Sequence, residues 1–335
     1  MKKLLLAFIL LPLLWSCSPK DPGVDDNNDQ DSAVTAVNAP IKKMEAVAFN
    51  EDSAYYFVEK QVKFGPRVPG SAGHTKAAQW LVSVLNSYCD TVYEQKGTVT
   101  TFKNQNIPFI NIIGSFNPQS KERIMLSAHW DTRPQADEDR VNPNTPADGA
   151  NDGASGVGVL IEIARQLSKN RPGLGIDLVL FDAEDGGDRR GSSESWCLGS
   201  QYWSKAPHVP NYKAKFGILL DMVGAKDATF PMELHSLDFA RDYVYFVWQT
   251  AQSLGYGKYF TNDKGGMITD DHYYINSILG VRTLDIIQYN TVTNTGFGDF
   301  WHTHKDNMSV IDKNTLKAVG HTVIEVIYRQ NNAGA

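Results

Sequence analysis

The chain has 335 residues, 42% hydrophobic and 21% charged, with a net charge of −6. These values are ordinary for a globular protein, and with no basic stripe they exclude nucleic acid as a partner. The three cysteines, Cys17, Cys89 and Cys197, are too few and too scattered for a disulfide framework or a thiolate metal site, so any metal here needs oxygen and nitrogen ligands.

The chain opens with MKKLLLAFILLPLLWSCS, a basic start, an apolar stretch too short to span a bilayer comfortably, and a cysteine. That is the layout of a secretory signal. The ending LLWSC resembles the bacterial lipoprotein signal, which makes Cys17 the expected lipidation site and new N-terminus. An ordinary signal peptide cut nearby is the alternative. Either way the mature protein is expected to be exported, and the lipid would hold it on the periplasmic side of a bacterial membrane or at the cell surface. Residues 18–40 are polar, acidic and almost free of large apolar side chains, so they read as a disordered tether.

One folded domain is expected over residues 41–335. EDSAYYFVEKQVKF and HTKAAQWLVSVLNSY space their apolar residues as amphipathic helices, with GPRVPGSAG as a turn between them. TVYEQKGTVTTF, IPFINIIGSF and RIMLSAHWD read as strands, and GVGVLIEIARQLSKN as a helix after a glycine-rich loop. GIDLVLFDAE is a buried central strand and GILLDMVG another. Helices near 238–254 and 315–330 flank a last strand, GVRTLDII. This alternation predicts an α/β fold, a central mixed, mostly parallel sheet covered on both faces.

The strands end on acids and histidines. LSAHWD carries His129 and Asp131, LVLFDAED carries Glu184 and Asp185, and GILLD ends on Asp221. DGANDGASGVG places Asp152 just before a helix. Near the C-terminus MITDDHYYIN supplies Asp270, Asp271 and His272, and FGDFWHTHKDN supplies His302 and His304. Singly these have ordinary readings, Asp152 as a helix cap and Asp221 as a turn acid. Gathered at one end of a sheet, however, the carboxylates would repel in a desolvated cleft, and a divalent cation is the natural counter-charge. Nitrogen and oxygen donors without thiolate favour zinc. Neighbouring side chains in an extended backbone diverge, so one of Glu184 and Asp185 can ligate a metal while the other handles a proton.

The ordered set RVPGS, HWD, GANDGASGVG, DAED, LLD, DDH and WHT spans nearly all of residues 50–330 and resembles the zinc aminopeptidase and glutaminyl cyclase superfamily. Trp301 directly before His302, and the acid pair before His272, look most like glutaminyl cyclases of the bacterial lipoprotein type. The resemblance implies a single-domain α/β/α sandwich with one zinc held by Asp152, Asp185 and His302. It gives Glu184 the proton-transfer role, and Asp221 and Asp270 an acidic network in which Asp271 is one residue of register away. It makes Trp301, Phe297, Ile268 and Trp196 the substrate wall. The implied substrates are peptide or protein N-termini bearing glutamine, converted to pyroglutamate with loss of ammonia, and a monomer is expected.

The alternative is a dinuclear zinc aminopeptidase, with His129 and Asp221 as added ligands, Asp152 bridging two zinc ions and Glu184 activating a water. A non-catalytic binding lipoprotein is the third class, favoured only if the protein holds no metal. Asp131 is expected to orient a neighbouring group. His74 and His321 read as packing residues, His208 and His235 as loop residues, and His304 as a rival to His302.

Overall fold

A computed structural model describes residues 45–333 apart from 47, 291 and 294. Cys17 and the acidic tether lie outside the described residues. The elements run α1 (Glu51–Val62), α2 (Ala72–Asn86), β1 (Thr91–Thr100), β2 (Asn106–Phe116), β3 (Arg123–His129), α3 (Ala154–Leu167), β4 (Gly175–Phe181) and α4 (Leu198–Lys205). They continue with β5 (Phe216–Asp221), β6 (Phe230–Met232), α5 (Leu234–Ser253), β7 (Phe260–Lys264), α6 (Asp271–Tyr274), β8 (Thr283–Ile287) and α7 (Lys313–Ala333).

Local chemistry sets the helix starts. Asn50 and Ser71 cap α1 and α2 through side-chain oxygens that accept the N–H of Ser53 and His74. Helix α3 starts without a side-chain cap, on Gly153 at φ 87°. A Cβ there would stand 2.8 Å from the Asp131 carbonyl oxygen and 3.0 Å from the His129 ring, so only glycine lets α3 begin against β3.

Six strands form one sheet in the order β1-β2-β4-β3-β5-β8. β1, β2 and β4 pair antiparallel, whereas β4, β3, β5 and β8 run parallel. β6 and β7 make a separate two-stranded sheet. The apolar strands are buried because both faces are covered. Ile124, Leu126, Leu178 and Leu180 point into a core shared with α1, α2, α3 and α7. Met125, Val179 and Phe181 point the other way, against Trp203 of α4 and Ile275. The mixed α/β/α sandwich is therefore as expected. The sequence reading did not find α4, α6 or the β6–β7 pair, and α5 starts at Leu234 rather than near Asp238, which puts His235 in a helix instead of a loop.

At the start of β4, Asp177 is fully buried inside the otherwise apolar strand. It accepts hydrogen bonds from Arg123 Nε (2.7 Å) and Nη2 (2.8 Å), from the Tyr212 hydroxyl (2.8 Å) and from the Ser115 hydroxyl. Removing one member of such a pair leaves an uncompensated buried charge, which costs about 3–5 kcal/mol. Arg123→Leu is therefore expected to lose stability by that amount in urea denaturation, while Arg123→Leu with Asp177→Leu recovers much of it.

Candidate active site

The carboxyl ends of β3, β4 and β5 open into a cavity of about 350 Å³. Asp152, Glu184, Asp185, Asp221, Asp270 and His302 line it together with Trp196, Ile268, Phe297 and Trp301. These ten residues, named from the sequence as metal, catalytic and substrate positions, are thus in one place. Crevices at strand carboxyl ends are where open α/β sheets bind ligands.

Three donors converge on a point. His302 Nε2 lies 3.3 Å from Asp185 Oδ1 and 3.7 Å from Asp152 Oδ2. Both separations exceed an ordinary N–H···O bond. Tetrahedral zinc with ligands at 2.0–2.1 Å sets its donors about 3.3 Å apart, so the trio fits that ion. His129, Asp152 and Asp221 form a second donor group. There His129 Nε2 is 3.0 Å from Asp152 Oδ1 and 3.1 Å from Asp221 Oδ1, within hydrogen-bond range.

The backbone is strained where it aims these groups. Ala183 (φ 54°), Met222 (φ 49°) and His302 (φ 54°) are left-handed without being glycine. Each sits at or beside a site side chain, and such a conformation costs of order 1–3 kcal/mol, held in place by the surroundings.

Fixed carboxylates and arginines supply that hold. Asp131 accepts the backbone N–H of Glu184 (3.1 Å) and of Asp185 (3.2 Å), so the HWD motif clamps the DAED turn as expected for an orienting acid. Asp306 does the same for Asn151 (2.7 Å) and Asp152 (3.1 Å). Arg67, fully buried, donates to the carbonyls of Trp130, Asp148 and Gly149. Asp137 Oδ1 stands 3.2 Å from His302 Nδ1 and also receives Arg133 Nε at 2.8 Å, so His302 is oriented from behind while its Nε2 faces Asp152 and Asp185. The sequence reading missed Arg67, Arg133, Asp137 and Asp306; the RVP and HWDTR motifs contain the two arginines, but nothing local says where their guanidinium groups reach.

Burial dominates the titration of the site. It drives Glu184 well above its ordinary value; His129 opposes this, and Asp185, Asp270 and Asp271 add to it. It pushes Asp221 to about 7 against the pull of His129. A bound cation pulls such groups back down. Asp182, the first acid of DAED, turns away from the cavity and bonds His74 Nε2 (2.8 Å) and the Ile110 N–H (2.7 Å).

Of the acid pair, Asp270 lines the cavity, whereas Asp271 is fully buried. His272 points inward to Glu233 Oε2 at 3.0 Å. His304 bonds Asp139 and Thr145 and does not compete with His302. His74 stacks on Trp130, and His321 bonds the Tyr256 hydroxyl, both in packing roles. Cys89 and Cys197 are free thiols.

Residues 111–327 match the model of peptidase family M28. The chain belongs to peptidase family M28. It is similar to the crystal structure of Porphyromonas gingivalis glutaminyl cyclase, with 51% identity over 85% of this chain and 100% of that one and a TM-score of 0.83. It is equally similar to a Zn-dependent exopeptidase from Parabacteroides distasonis, with 51% identity over 85% and 99% of the chains and a TM-score of 0.84. A glutaminyl-peptide cyclotransferase of Bos taurus is 29% identical over 75% of this chain and 74% of its own length. The M28 membership and the donor set together make zinc the metal of this cavity.

Two outcomes follow for this M28 site. Asp137→Asn is expected to weaken zinc binding 10- to 100-fold, the usual effect of losing a carboxylate behind a ligand histidine, as read by chelator competition. The buried Glu233 carboxyl is pushed up by burial, but His272 and the N–H groups of Ile268 and Ser236 outweigh that and hold it at about 2. A depressed carboxyl stabilises the fold fully above its unfolded value near 4.3, and that stability is lost as pH falls toward about 2. Glu233→Gln is expected to flatten this acid slope in denaturation curves taken between those limits.

Proposed function

We infer that the protein is a zinc-dependent glutaminyl-peptide cyclotransferase, which converts the N-terminal glutamine of a peptide or protein to pyroglutamate and releases ammonia. The observation that carries this is the wall over the metal ligands. The Trp301 ring stacks on His302 with centroids 3.6 Å apart and 21° between planes, and Phe297 packs on Trp301 at 4.8 Å. Trp196 lies parallel to His302 from further off, at 6.1 Å. This aromatic slot faces two carboxyl groups, Glu184 and Asp270, within one cavity. Its size suits one side chain folded on itself.

Asp152, Asp185 and His302 would hold one zinc, which when bound supplies a Lewis acid for the γ-carbonyl oxygen. The chain's own residues do the rest. Trp301, Phe297 and Ile268 confine the glutamine so that its α-nitrogen meets its own γ-carbon, the entropic part of the catalysis. Glu184 accepts a proton from the attacking amine and returns it to the leaving nitrogen. The new N–C bond closes the ring, the carboxamide C–N bond breaks, and ammonia carries the proton away. Burial, with Asp185, Asp270 and Asp271 nearby, raises the affinity of Glu184 for the proton in transit.

One observation favours the aminopeptidase reading: the donors of His129, Asp152 and Asp221 lie within 4.8 Å of one another, as a second metal requires. The hydrogen-bond distances from His129 to both carboxylates support the mononuclear cyclase.

Protein lacking residues 1–40 is expected to release ammonia from a glutaminyl peptide and to leave a leucyl anilide intact. Glu184→Gln is expected to lower kcat/KM about 10²- to 10⁴-fold. Anilide cleavage without ammonia release would overturn the cyclase.

We further propose that Cys17 is lipidated and that the exported protein acts as a monomer, tethered by residues 18–40 on the periplasmic side of a bacterial membrane. The order of basic start, apolar stretch and cysteine supports this. Cys17→Ala is expected to move the protein from the membrane pellet to the soluble fraction and to abolish labelling with a radioactive fatty acid.

A further inference from the structure

Helix α4 starts from Cys197, whose backbone is left-handed (φ 58°) and whose side chain is fully buried. Cys197 is tied to the DAED turn by two hydrogen bonds, and its neighbour Leu198 by a third. The N–H of Cys197 donates to the Glu184 carbonyl at 2.9 Å, and the N–H of Leu198 to the Ala183 carbonyl at 3.0 Å. The Cys197 Sγ lies 3.3 Å from Glu184 Oε1. Among the described residues this is the one hydrogen bond to the Glu184 carboxyl. The other oxygen, Oε2, faces His129 Nδ1 at 3.8 Å.

Burial, with Glu184, Asp271 and Asp270 nearby, pushes the Cys197 thiol well above its usual value, so it is an S–H donor. A thiol is a weak donor. It can fix an oxygen without draining the basicity that a proton acceptor needs, which an ammonium would do more strongly.

We propose that Cys197 is a positioning residue for the cyclisation: its thiol pins Oε1 of Glu184 and leaves Oε2 as the oxygen that takes the proton from the substrate amine. The proposal rests on the cyclase reading, in which Glu184 is the proton carrier. Without the thiol the carboxyl is free to turn about its last torsion, and each oxygen spends part of its time out of reach of the amine.

The test is steady-state kinetics of Cys197→Ala and Cys197→Ser with a glutaminyl peptide, together with the infrared S–H stretch of the wild type and of Glu184→Gln. Loss of the donor in Cys197→Ala is expected to lower kcat about 10- to 100-fold with KM unchanged and zinc content intact. Cys197→Ser keeps a donor and is expected to restore most of kcat. The S–H band of Cys197 is expected to move to higher frequency in Glu184→Gln, where the charged acceptor is gone, while that of Cys89 stays as an internal reference. Should Cys197→Ala fail to fold, the serine variant and the infrared band still decide.

Wild-type kcat in Cys197→Ala, an equal loss in the alanine and serine variants, or an S–H band indifferent to Glu184→Gln would overturn the positioning role while leaving the cyclase intact. A wild-type protein that releases no ammonia would overturn the cyclase reading and this role with it.

Discussion

Crowding of carboxyl groups is the constraint on which the rest of this structure depends. Asp152, Asp185, Asp221, Asp270 and Asp271 are all buried at one end of the sheet, and Glu184 is nearly so. Burial alone drives most of them toward the neutral acid, and their mutual repulsion adds to it. Two imidazoles, His129 and His302, cannot balance that number of charges. A divalent cation between Asp152, Asp185 and His302 would do so at the point where the donors converge.

Holding such a cluster needs a rigid scaffold, and the parallel strands supply it. β3, β4 and β5 end side by side, so residues far apart in sequence reach the same cavity. The loops that follow are not rigid by themselves. They are pinned by polar groups, the buried Arg67 on the 148–149 turn, Asp306 on Asn151 and Asp152, Asp131 on the DAED turn, and the partly exposed Asp137 behind His302. Three left-handed non-glycine residues show that this pinning overrides local preference.

Much of this was legible in the sequence. Strand ends such as LSAHWD and LVLFDAED join an apolar run to acids, a local pattern that gives both the element and the position of its side chains. Asp270 and Asp271 are adjacent in sequence, and only the fold shows that Asp270 lines the cavity while Asp271 is buried behind it. The supporting residues were not legible, because their roles lie across long sequence separations: Asp306 to Asp152, or Arg67 to Gly149. Helix α4 was missed because it is only eight residues long and follows a serine- and glycine-rich loop. Buried polar residues such as Asp177 in β4 and His272 in α6 had their partners hidden for the same reason.

The cyclase and the aminopeptidase share nearly every residue, so what separates them is whether His129 and Asp221 hold each other or a second ion. The anomalous scattering of a crystal at the zinc absorption edge measures this directly. One peak between Asp152, Asp185 and His302, with none between His129 and Asp221, is the result predicted here. A second peak of similar height at His129 and Asp221 would contradict the mononuclear cyclase.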